Sequence, residues 1–378
     1  MTMSQPQQFE TRATEGSQNQ YGKVILNKER FVQIIDEILA ADSLPKIRLR
    51  IAELRPAIAT SRNDSIGIVN IASNGDTISM RRDVLSADLG QISESQTLER
   101  AIYYLNRLKA SIVEVKTSKI NEINLKRWKE YDKVLTDSLW IVPKRDTSGA
   151  HVSEYWGNFV PQIPRQMMIR YTKRNDWVLD VFAGSGTTLI ECRRLGRNGL
   201  GIELNPKVAQ RARELVETEP NLRQITTDIA VGDNTTLDIK DMLAQHQIEK
   251  VQLLMMHPPY HNIIRFSEDK RDLSNAETTE DFLTMFGRTV DNATPFLEKG
   301  RYLALVIGDK YAKGEWIPLG FSCMNEVLKR GYMLKAVVVK NFDETKGKRN
   351  QQELWRYRAL VGGFYIFKHE YIMIFKKQ

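Results

Sequence analysis

The chain has 378 residues, of which 42% are hydrophobic and 27% are charged, a composition typical of a folded globular protein. This length allows one large domain and a smaller one. A run of eighteen or more apolar residues and a secretory N-terminal pattern are both missing, which argues against a membrane protein. The formal net charge of +8 suits a polyanionic partner, although many intracellular proteins are mildly basic. Cys192 and Cys323 lie far apart without metal-ligand spacing, so we expect a cytoplasmic protein without disulfides or a bound metal.

The first part of the chain is predicted to be mostly helical. Residues 1–20 are rich in Gln, Ser and Thr and are expected to be disordered. The elements that follow are a helix Asn27–Ala41 with Phe31, Ile34, Ile35 and Ile38 on one face, a basic helix Lys46–Ile58, two short strands around an Asn74-Gly75 turn within Ile66–Met80, and a helical stretch from about Ser95 to Leu135 with an interruption near Thr117. Residues 21–138 are therefore predicted to form an N-terminal domain. It is either a winged-helix-like module for partner recognition or a helical domain that only packs.

From about residue 139 to the end, short apolar strands alternate with helices, which indicates a βαβ sheet. The predicted strands are Trp177–Val181, Gly199–Glu203, Ile225–Val231, Val251–Met256, Tyr302–Ile307, Leu334–Val339 and Tyr371–Phe375. The predicted helices are Pro164–Tyr171, Thr187–Leu195, Pro206–Glu217, Thr279–Phe296 and Ser322–Arg330. Residues 139–378 are thus expected to form an α/β domain with a Rossmann-like, seven-stranded sheet that ends in an antiparallel pair.

A glycine turn follows the first of these strands. The segment Asp180-Val-Phe-Ala-Gly-Ser-Gly-Thr-Thr188 leads from the strand into a helix, and Gly184 and Gly186 allow a sharp bend and a close approach of a ligand to the backbone. The third glycine of the dinucleotide pattern is missing, and no phosphate-loop lysine follows. The turn therefore favours a nucleoside-bearing cofactor of another kind.

Acidic residues follow the next two strands. Glu203 ends its strand about twenty residues after the glycine turn, where a carboxylate can bind a ribose diol. Asp233 and Asn234 follow the third strand, where Asp233 can accept a hydrogen bond from an adenine amino group. The alternative is that these acids are solvated loop residues.

A rigid turn, His257-Pro-Pro-Tyr260, follows the buried strand Val251–Met256. The ligand-binding edge of an open α/β sheet lies at the carboxyl ends of its strands. Two prolines fix the backbone and leave carbonyl groups to accept hydrogen bonds, so Pro258 and a side-chain acceptor at His257 can hold the protons of an exocyclic base amine. Tyr260 can stack on a base that has left the double helix. A Pro-Pro turn that merely ends a strand under a packed tyrosine is the alternative.

These two segments together resemble the DNA amino-methyltransferases, the family that methylates adenine N6 or cytosine N4. Phe182, Gly184 and Gly186 match the family's F-x-G-x-G motif, and Pro258, Pro259 and Tyr260 match its second motif. The segment Tyr155–Pro164 resembles a further motif that covers the methionine end of the cofactor, and His369–Phe375 resembles the family's final strand. The resemblance covers roughly Trp140 to the C-terminus, and we recognise no resemblance in the first 135 residues.

The resemblance implies methyl transfer by direct in-line displacement, with a catalytic turn formed by His257, Pro258, Pro259 and Tyr260. It implies the cofactor S-adenosyl-L-methionine, bound by Phe159, Pro161, Asp180, Phe182, Ala183, Gly184, Gly186, Thr187, Thr188, Glu203, Asp233 and Asn234. The family has Asp, Asn or Ser where this chain has His257. A neutral imidazole still accepts one hydrogen bond, but a protonated imidazole cannot. We therefore expect activity to fall below about pH 6–6.5, where the His257 side chain takes up a proton.

The expected substrate is double-stranded DNA with the target base flipped out, as in restriction-modification or epigenetic methylation, and a homodimer is one conceivable assembly. The loop Asn341–Tyr357 combines basic and aromatic residues that suit phosphate contacts and base stacking. Its predicted nucleic-acid contacts are Lys346, Lys348, Arg349, Trp355 and Arg356. A solvated charged loop is the alternative, and the N-terminal domain is the other candidate for recognition.

Other functions remain open at this point. An RNA base N-methyltransferase would use the same two motifs, and an inactive DNA-binding relative would explain His257. Methylation of cytosine at carbon 5 is disfavoured because it needs a nucleophilic cysteine, and neither Cys192 nor Cys323 lies at the catalytic turn. A small-molecule or protein methyltransferase could share the glycine turn, but the Pro-Pro-Tyr segment favours a planar amine.

Overall fold

The structure, a computed structural model, describes residues 22–60, 67–68, 76–152, 157–342 and 352–378. The chain separates into two compact units. The first runs to Lys116 and also takes in Asn124–Asp132, and the second consists of Thr117–Ile123 and Lys133–Gln378. In the described part of the chain, none of the helices is long and apolar enough to span a bilayer.

The first unit packs four helices against a two-stranded antiparallel sheet. Its elements are β1 Lys23–Asn27, α1 Lys28–Leu39, α2 Leu44–Thr60, β2 Thr77–Arg81, α3 Arg82–Ser93 and α4 Leu98–Val113. The side chain of Asn27 caps α1 by accepting from the backbone N–H of Arg30 at 3.0 Å. The predicted apolar face of α1 is buried in the core of this unit, as helical spacing requires.

In the first unit, the second of the two strands predicted within Ile66–Met80 corresponds to β2. Among the described residues β2 pairs with β1, from Lys23↔Arg81 to Asn27↔Thr77, a partner that the sequence analysis did not predict. The Asn74-Gly75 turn lies outside the described residues, as does the predicted disordered tail.

The helical stretch predicted from Ser95 to Leu135, with an interruption near Thr117, is helical from Leu98 to Val113. The side-chain oxygen of Asn124 there accepts hydrogen bonds from the backbone N–H groups of Lys116 and Lys126. Such a local turn competes with helix continuation. Only a short 3-10 turn, Leu125–Glu130, follows it.

The second unit contains one large sheet and a small hairpin. Its strands are β3 Leu139–Trp140, β4 Trp177–Asp180, β5 Asn198–Glu203, β6 Thr227–Val231, β7 Val251–Met256, β8 Leu297–Ile307, β9 Lys310–Ala312, β10 Glu315–Ile317, β11 Met333–Asn341 and β12 His369–Lys376. Its helices are α5 Gln162–Tyr171, α6 Thr187–Leu195, α7 Pro206–Thr218, α8 Ile239–Gln245, α9 Thr279–Ala293, α10 Leu319–Leu328 and α11 Gln352–Gly362.

The large sheet has the order β3-β11-β12-β8-β7-β4-β5-β6. All its neighbouring strands are parallel except β12, which is antiparallel to both β8 and β11. The predicted Rossmann-like α/β sheet with a final antiparallel pair is therefore confirmed. The two-residue strand β3, which sequence periodicity did not predict, adds an eighth strand beside β11.

Both faces of this sheet are covered, so its central strands are apolar nearly throughout. Successive residues alternate between two cores, as strand geometry requires. In β7, for example, Leu254 and Met256 belong to one core, and Leu253 and Met255 belong to the other.

The sheet order fixes where the two predicted motifs lie. Strands β4 and β7 are parallel neighbours, with Asp180 paired to Met255. The glycine turn leaves the end of β4 and the proline turn leaves the end of β7. Both turns therefore start from adjacent positions on the same edge of the sheet, which is the usual ligand-binding edge.

Candidate active site

The glycine turn after β4 is held by its own buried side chains. Asp180 accepts hydrogen bonds from the backbone N–H of Phe182 at 3.0 Å and from the hydroxyl of Thr188. Burial raises the pKa of Asp180 to about 6, against the lowering effect of these two hydrogen bonds. Asp180 and Thr188, which were predicted to bind the cofactor, are both buried and serve to shape the turn.

The two glycines of this turn adopt the left-handed conformation that favours glycine, with φ of +50° at Gly184 and +80° at Gly186. At Gly186, an added Cβ atom would lie 3.0 Å from a methyl group of Val216 on α7. Helix α6 therefore starts in close contact with α7. Ala183 is fixed by a backbone hydrogen bond from its N–H to the carbonyl of Ile202 on β5, at 3.0 Å.

Glu203 at the end of β5 is tied directly to the glycine turn. Its carboxylate accepts hydrogen bonds from the backbone N–H of Gly184 at 3.0 Å and of Asn205 at 2.9 Å. Burial raises the pKa of Glu203, and these two hydrogen bonds act in the opposite direction. Each carboxylate oxygen retains a second lone pair, so Glu203 can also accept from a ligand hydroxyl.

The two predicted residues after β6 differ in what they contact. One oxygen of Asp233 accepts from the backbone and the hydroxyl of Thr235, at 2.8 and 2.7 Å. The side-chain amide of Asn234 donates to the carbonyl of Val181 at 2.9 Å and accepts from Thr289 at 3.0 Å. Asn234 thus fastens the end of β4 to α9, whereas Asp233 keeps its second oxygen for another partner.

The segment before α5 connects the glycine turn to the proline turn. Asn158 donates to the hydroxyl of Ser185 and accepts from the hydroxyl of Thr187, both at 2.6 Å. The next residue, Phe159, is buried and meets the ring of His257 edge-on, with the ring centroids 4.7 Å apart. Thr187 and Phe159 therefore belong to one continuous chain of contacts that runs from the predicted cofactor turn to the predicted catalytic turn.

A half-buried arginine holds this connecting segment in place. Arg145 donates to the backbone carbonyls of Asn158 and Phe159, at 3.2 and 2.8 Å. Pro161 is buried immediately before α5, so it sets the start of that helix. The first two residues of the predicted Tyr155–Pro164 motif, Tyr155 and Trp156, lie outside the described residues.

In the proline turn, the tyrosine ring has a fixed position. The hydroxyl of Tyr260 donates to Glu370 on β12 at 2.8 Å. An added Cβ atom on Gly308 would lie 2.9 Å from the ring of Tyr260, so glycine at this position makes room for the ring. The ring of His257 meets the Tyr260 ring edge-on, at 5.7 Å between centroids.

Glu370 is itself held by a buried lysine. Lys340 and Glu370 are directly opposite each other on β11 and β12, and their charged groups lie 2.9 Å apart. Both side chains are at most 10% exposed. Burial alone would raise the pKa of Glu370, but Lys340 and the other neighbours outweigh burial and lower it. The carboxylate is therefore ionised and accepts hydrogen bonds only.

His257 is neutral over most of the pH range. Burial lowers the pKa of His257 to about 4, with Lys340 acting in the same direction and Glu370 against it. This shift moves the protonation of His257 below the pH 6–6.5 from which a loss of activity was predicted, and the activity profile itself stays a prediction. The neutral ring has one nitrogen that accepts a hydrogen bond, and this remains true down to about pH 4.

The chain just after Tyr260 is anchored separately. His261 has a φ of +51°, which is uncommon for a residue with a side chain. Its Nε2 lies 2.9 Å from the carbonyl of Ala276, and its Nδ1 lies 3.1 Å from the amino group of Lys310, which also reaches Asn262. These contacts fix the backbone direction in which the proline turn continues.

The predicted nucleic-acid contacts are only partly described. Lys346, Lys348 and Arg349 lie outside the described residues. Trp355 and Arg356 lie on α11, so the second half of the predicted loop is a helix. Arg356 is exposed, whereas Trp355 is half-buried with the guanidinium of Arg358 5.2 Å from its ring centroid.

Sequence reasoning missed four residues that shape this site: Arg145, Asn158, Lys340 and Glu370. The last two carried a usable signal, since each is a single charge within or beside an apolar strand, and the two charges are opposite. Arg145 and Asn158 gave no signal, because their contacts depend on the path of a segment without regular structure. Among the described residues, no group of three or more His, Cys, Asp or Glu side chains could hold a metal ion.

The sheet order and the two turns at its edge define a Rossmann-like methyltransferase fold. A family model described as DNA methylase matches residues 65–214, which include the glycine turn and Glu203 and end before His257. Solved structures of TrmN from Thermus thermophilus and of a precorrin-6y C5,15-methyltransferase from Geobacter metallireducens align over 58% and 62% of this chain and over 49% and 95% of theirs, with TM-scores of 0.38 and 0.39 at 16% and 13% identity. These TM-scores are too low to support more than the strand order already does.

Among curated proteins, the chain is 29% identical over 142 residues to the type II methyltransferase M.MjaII of Methanocaldococcus jannaschii. It is 37% identical over 70 residues to M.Cfr9I of Citrobacter freundii. These alignments cover 36% and 18% of this chain, and 26% and 22% of the two relatives. The chain thus spans about a quarter of the length of the relatives that it matches. Over the matched residues the chain is similar to the N6/N4 DNA amino-methyltransferases, which use S-adenosyl-L-methionine as their cofactor.

Proposed function

We propose that the protein transfers a methyl group from S-adenosyl-L-methionine to an exocyclic amine, adenine N6 or cytosine N4, of a flipped base in double-stranded DNA. The observation that supports this most is the chain of contacts from Thr187 through Asn158 and Phe159 to His257. It joins the glycine turn and the proline turn into one site at one edge of the sheet.

The residues of the glycine turn fit this cofactor. Glu203, half-buried and already bonded to Gly184, would accept from the ribose hydroxyls, and Asp233 would accept from the adenine amino group. Phe159 would cover the methionine end. Asp180, Thr188 and Asn234 would act indirectly, because their polar atoms are used within the protein.

The proline turn would hold the target amine. Bound S-adenosyl-L-methionine supplies an electrophilic methyl group on a positively charged sulfur. The unprotonated nitrogen of His257 and the carbonyl of Pro258 would each accept a hydrogen bond from one N–H of the amine, which directs the nitrogen lone pair at that methyl group. A methylated amine would carry a positive charge on nitrogen until it lost one of its two protons to solvent. Tyr260 would stack on the base, and its bond to Glu370 fixes the ring before the base arrives.

DNA contacts are proposed for the segment between β11 and β12. Lys346, Lys348, Arg349 and Arg356 would contact phosphates, which would make binding weaken as the salt concentration rises. Trp355 is less suited to stack on a base, because Arg358 already lies over its ring.

The experiment is to incubate the protein with methyl-labelled cofactor and, separately, unmethylated genomic DNA and total RNA, and to identify the labelled nucleoside by mass spectrometry. We expect N6-methyladenine or N4-methylcytosine in DNA only. His257→Ala should lower the rate by about 100-fold, the size typical of a group that handles a proton at the reacting atom. His246→Ala, at a histidine after α8, is the matched control and should retain normal activity.

If only RNA carried the label, the substrate would be RNA instead of DNA. Cofactor binding without label in either nucleic acid would indicate an inactive relative. A His257→Ala variant as active as the control would remove His257 from the site.

A further inference from the structure

Helix α11 exposes its apolar side chains instead of burying them. Leu354, Tyr357, Leu360 and Val361 are 44%, 65%, 70% and 70% exposed, and we call these four residues the outer stripe. Their spacing places them next to one another on one side of the helix. The opposite side, with Trp355 and Ala359, is half-buried. A surface helix normally shows the reverse pattern, so the outer stripe suits a surface that contacts a partner.

The outer stripe lies in the connection that leaves the catalytic edge of the sheet. Strand β11 is parallel to β3 and antiparallel to β12, and the pair Asn341↔His369 closes the connection that contains α11. In the next pair, Lys340↔Glu370, the carboxylate of Glu370 accepts a hydrogen bond from the hydroxyl of Tyr260. The base of this connection is therefore within one residue pair of the proline turn.

The end of the connection after α11 is anchored by aromatic stacking. The ring centroids of Phe364 and Tyr311 are 4.3 Å apart, and those of Phe367 and Trp316 are also 4.3 Å apart. Both partners belong to the β9–β10 hairpin, which follows β8. Between these anchors, Tyr365 is 83% exposed. A large ring held outward by two packed neighbours is available to a partner without rearrangement.

The charge around the stripe favours DNA as that partner. Arg356, Arg358 and Lys368 flank the exposed apolar residues, and Glu353 is the one acidic residue in residues 352–368. Positively charged side chains can contact the phosphate backbone of DNA, and the apolar and aromatic side chains among them can contact its bases. Apolar side chains of DNA-binding proteins are known to insert between base steps and to unstack them.

Resting on the proposed function, we propose that the outer stripe and Tyr365 enter the DNA at the target site and support the duplex after the target base has left it. Flipping removes one base from the stack and leaves its neighbours and its partner base without contact. Aromatic and aliphatic side chains beside the catalytic edge replace part of that stacking. Their contribution is to the extrusion of the base, and the methyl transfer itself takes place at the proline turn.

The test compares two DNA substrates. One is a short duplex with the methylation site that sequencing of enzyme-treated genomic DNA reveals. The other is the same duplex with the target base opposite an abasic site, where flipping costs less. The variants are Tyr357→Gln/Leu360→Gln and Tyr365→Gln, with Leu222→Gln as the control because Leu222 is 90% exposed in the loop before β6. Single-turnover methylation rates are measured with all proteins.

On the paired duplex, we expect the double variant to be slower than wild type by about tenfold, the effect of losing roughly one base-stacking contact. On the abasic duplex, its rate should stay within about threefold of wild type, because less extrusion is needed. Tyr365→Gln should show the same difference to a smaller degree, and Leu222→Gln should match wild type on both.

Equal rates of wild type and the double variant on the paired duplex would overturn the proposal. The same loss on both duplexes would also overturn it, since the stripe would then act on binding or folding. A change from dimer to monomer in light scattering would assign the stripe to a second copy of the chain instead. If wild type methylates no DNA at all, the proposed function fails, and that failure is visible before any variant is made.

Discussion

The glycine turn and the proline turn lie at the same edge of the sheet, but they are stabilised in different ways. The glycine turn is stabilised through its backbone: Asp180 and Glu203 accept from the N–H groups of Phe182 and Gly184. The proline turn has lost two backbone donors, so it depends on side chains. Tyr260 bonds to Glu370, which lies 110 residues further along the chain.

This difference has a chemical basis. A cofactor with many polar groups needs a backbone that can bend sharply and approach the ligand closely, and glycine allows both. A flat base amine needs a few groups in exact directions, which a rigid backbone and a pinned ring provide. Disturbance of the two turns should therefore have different consequences.

The largest effect is expected at Glu370, which lies far from the proline turn in sequence and accepts the hydrogen bond of Tyr260. Glu370→Leu leaves Lys340 buried without its partner, which should lower the free energy of unfolding by about 3–5 kcal/mol. The double variant Lys340→Met/Glu370→Leu should recover most of this loss, because no buried charge remains. Methylation should stay low in both variants, since Tyr260 has lost its acceptor. Urea unfolding and methylation rates check these outcomes.

An exposed ion pair provides the control for the variants of the buried pair. Arg50 and Glu53 lie 2.8 Å apart with side chains that are 41% and 46% exposed. Glu53→Leu should change stability by less than about 1 kcal/mol. If Glu370→Leu were equally mild, the proline turn would not depend on its distant partner, and the difference between the two turns would disappear.

A smaller effect is expected in the glycine turn. Gly186→Ala and Gly300→Ala both place a side chain at a φ near +80°, so they share the cost of that conformation. Only at Gly186 does the new methyl group also meet Val216 at 3.0 Å, while the space at Gly300 is open. We expect Gly186→Ala to be less stable than Gly300→Ala by about 1–2 kcal/mol.

Cofactor affinity, measured by titration calorimetry, should fall for Gly186→Ala and stay normal for Gly300→Ala. Equal stability and affinity in the two variants would mean that the close contact of α6 with α7 has no role in shaping the turn.

The same difference explains how much of the site the sequence could predict. The glycine turn, Glu203 and Asp233 were predicted because their contacts follow from strand order and short spacing along the chain. The sheet was predicted for the same reason, since buried parallel strands are apolar throughout. The short strand β3 was missed, because two residues carry no periodicity.

The proline turn was recognised as a motif, but its environment was not predictable. The bond between Tyr260 and Glu370, and the pairing of Glu370 with Lys340, arise only when β11 and β12 pair at the far side of β8. Burial of His257 has the same origin, since Phe159 reaches it from a segment without regular structure. An ordinary histidine pKa was therefore assumed, whereas burial lowers the pKa of His257 to about 4.

The smallest expected effect concerns this pKa. In the unfolded chain His257 binds a proton near its ordinary pKa of 6.5, whereas in the folded protein it does so only near 4. The unfolded state therefore binds more protons between these values, and stability falls as the pH is lowered from 6.5 towards 4. His257→Asn, which restores a residue usual in the family, should remove roughly 1 kcal/mol of this loss between pH 7 and pH 5.5. Urea unfolding of both proteins at the two pH values measures it.

The methylation rate should show no inflection from His257 near pH 6.5, because the neutral imidazole persists to about pH 4. An inflection at pH 6.5 that His257→Asn abolishes would show that the imidazole is solvated as in a free peptide. In that case Phe159 would not cover it, and the contact that joins the two turns into one site would be absent.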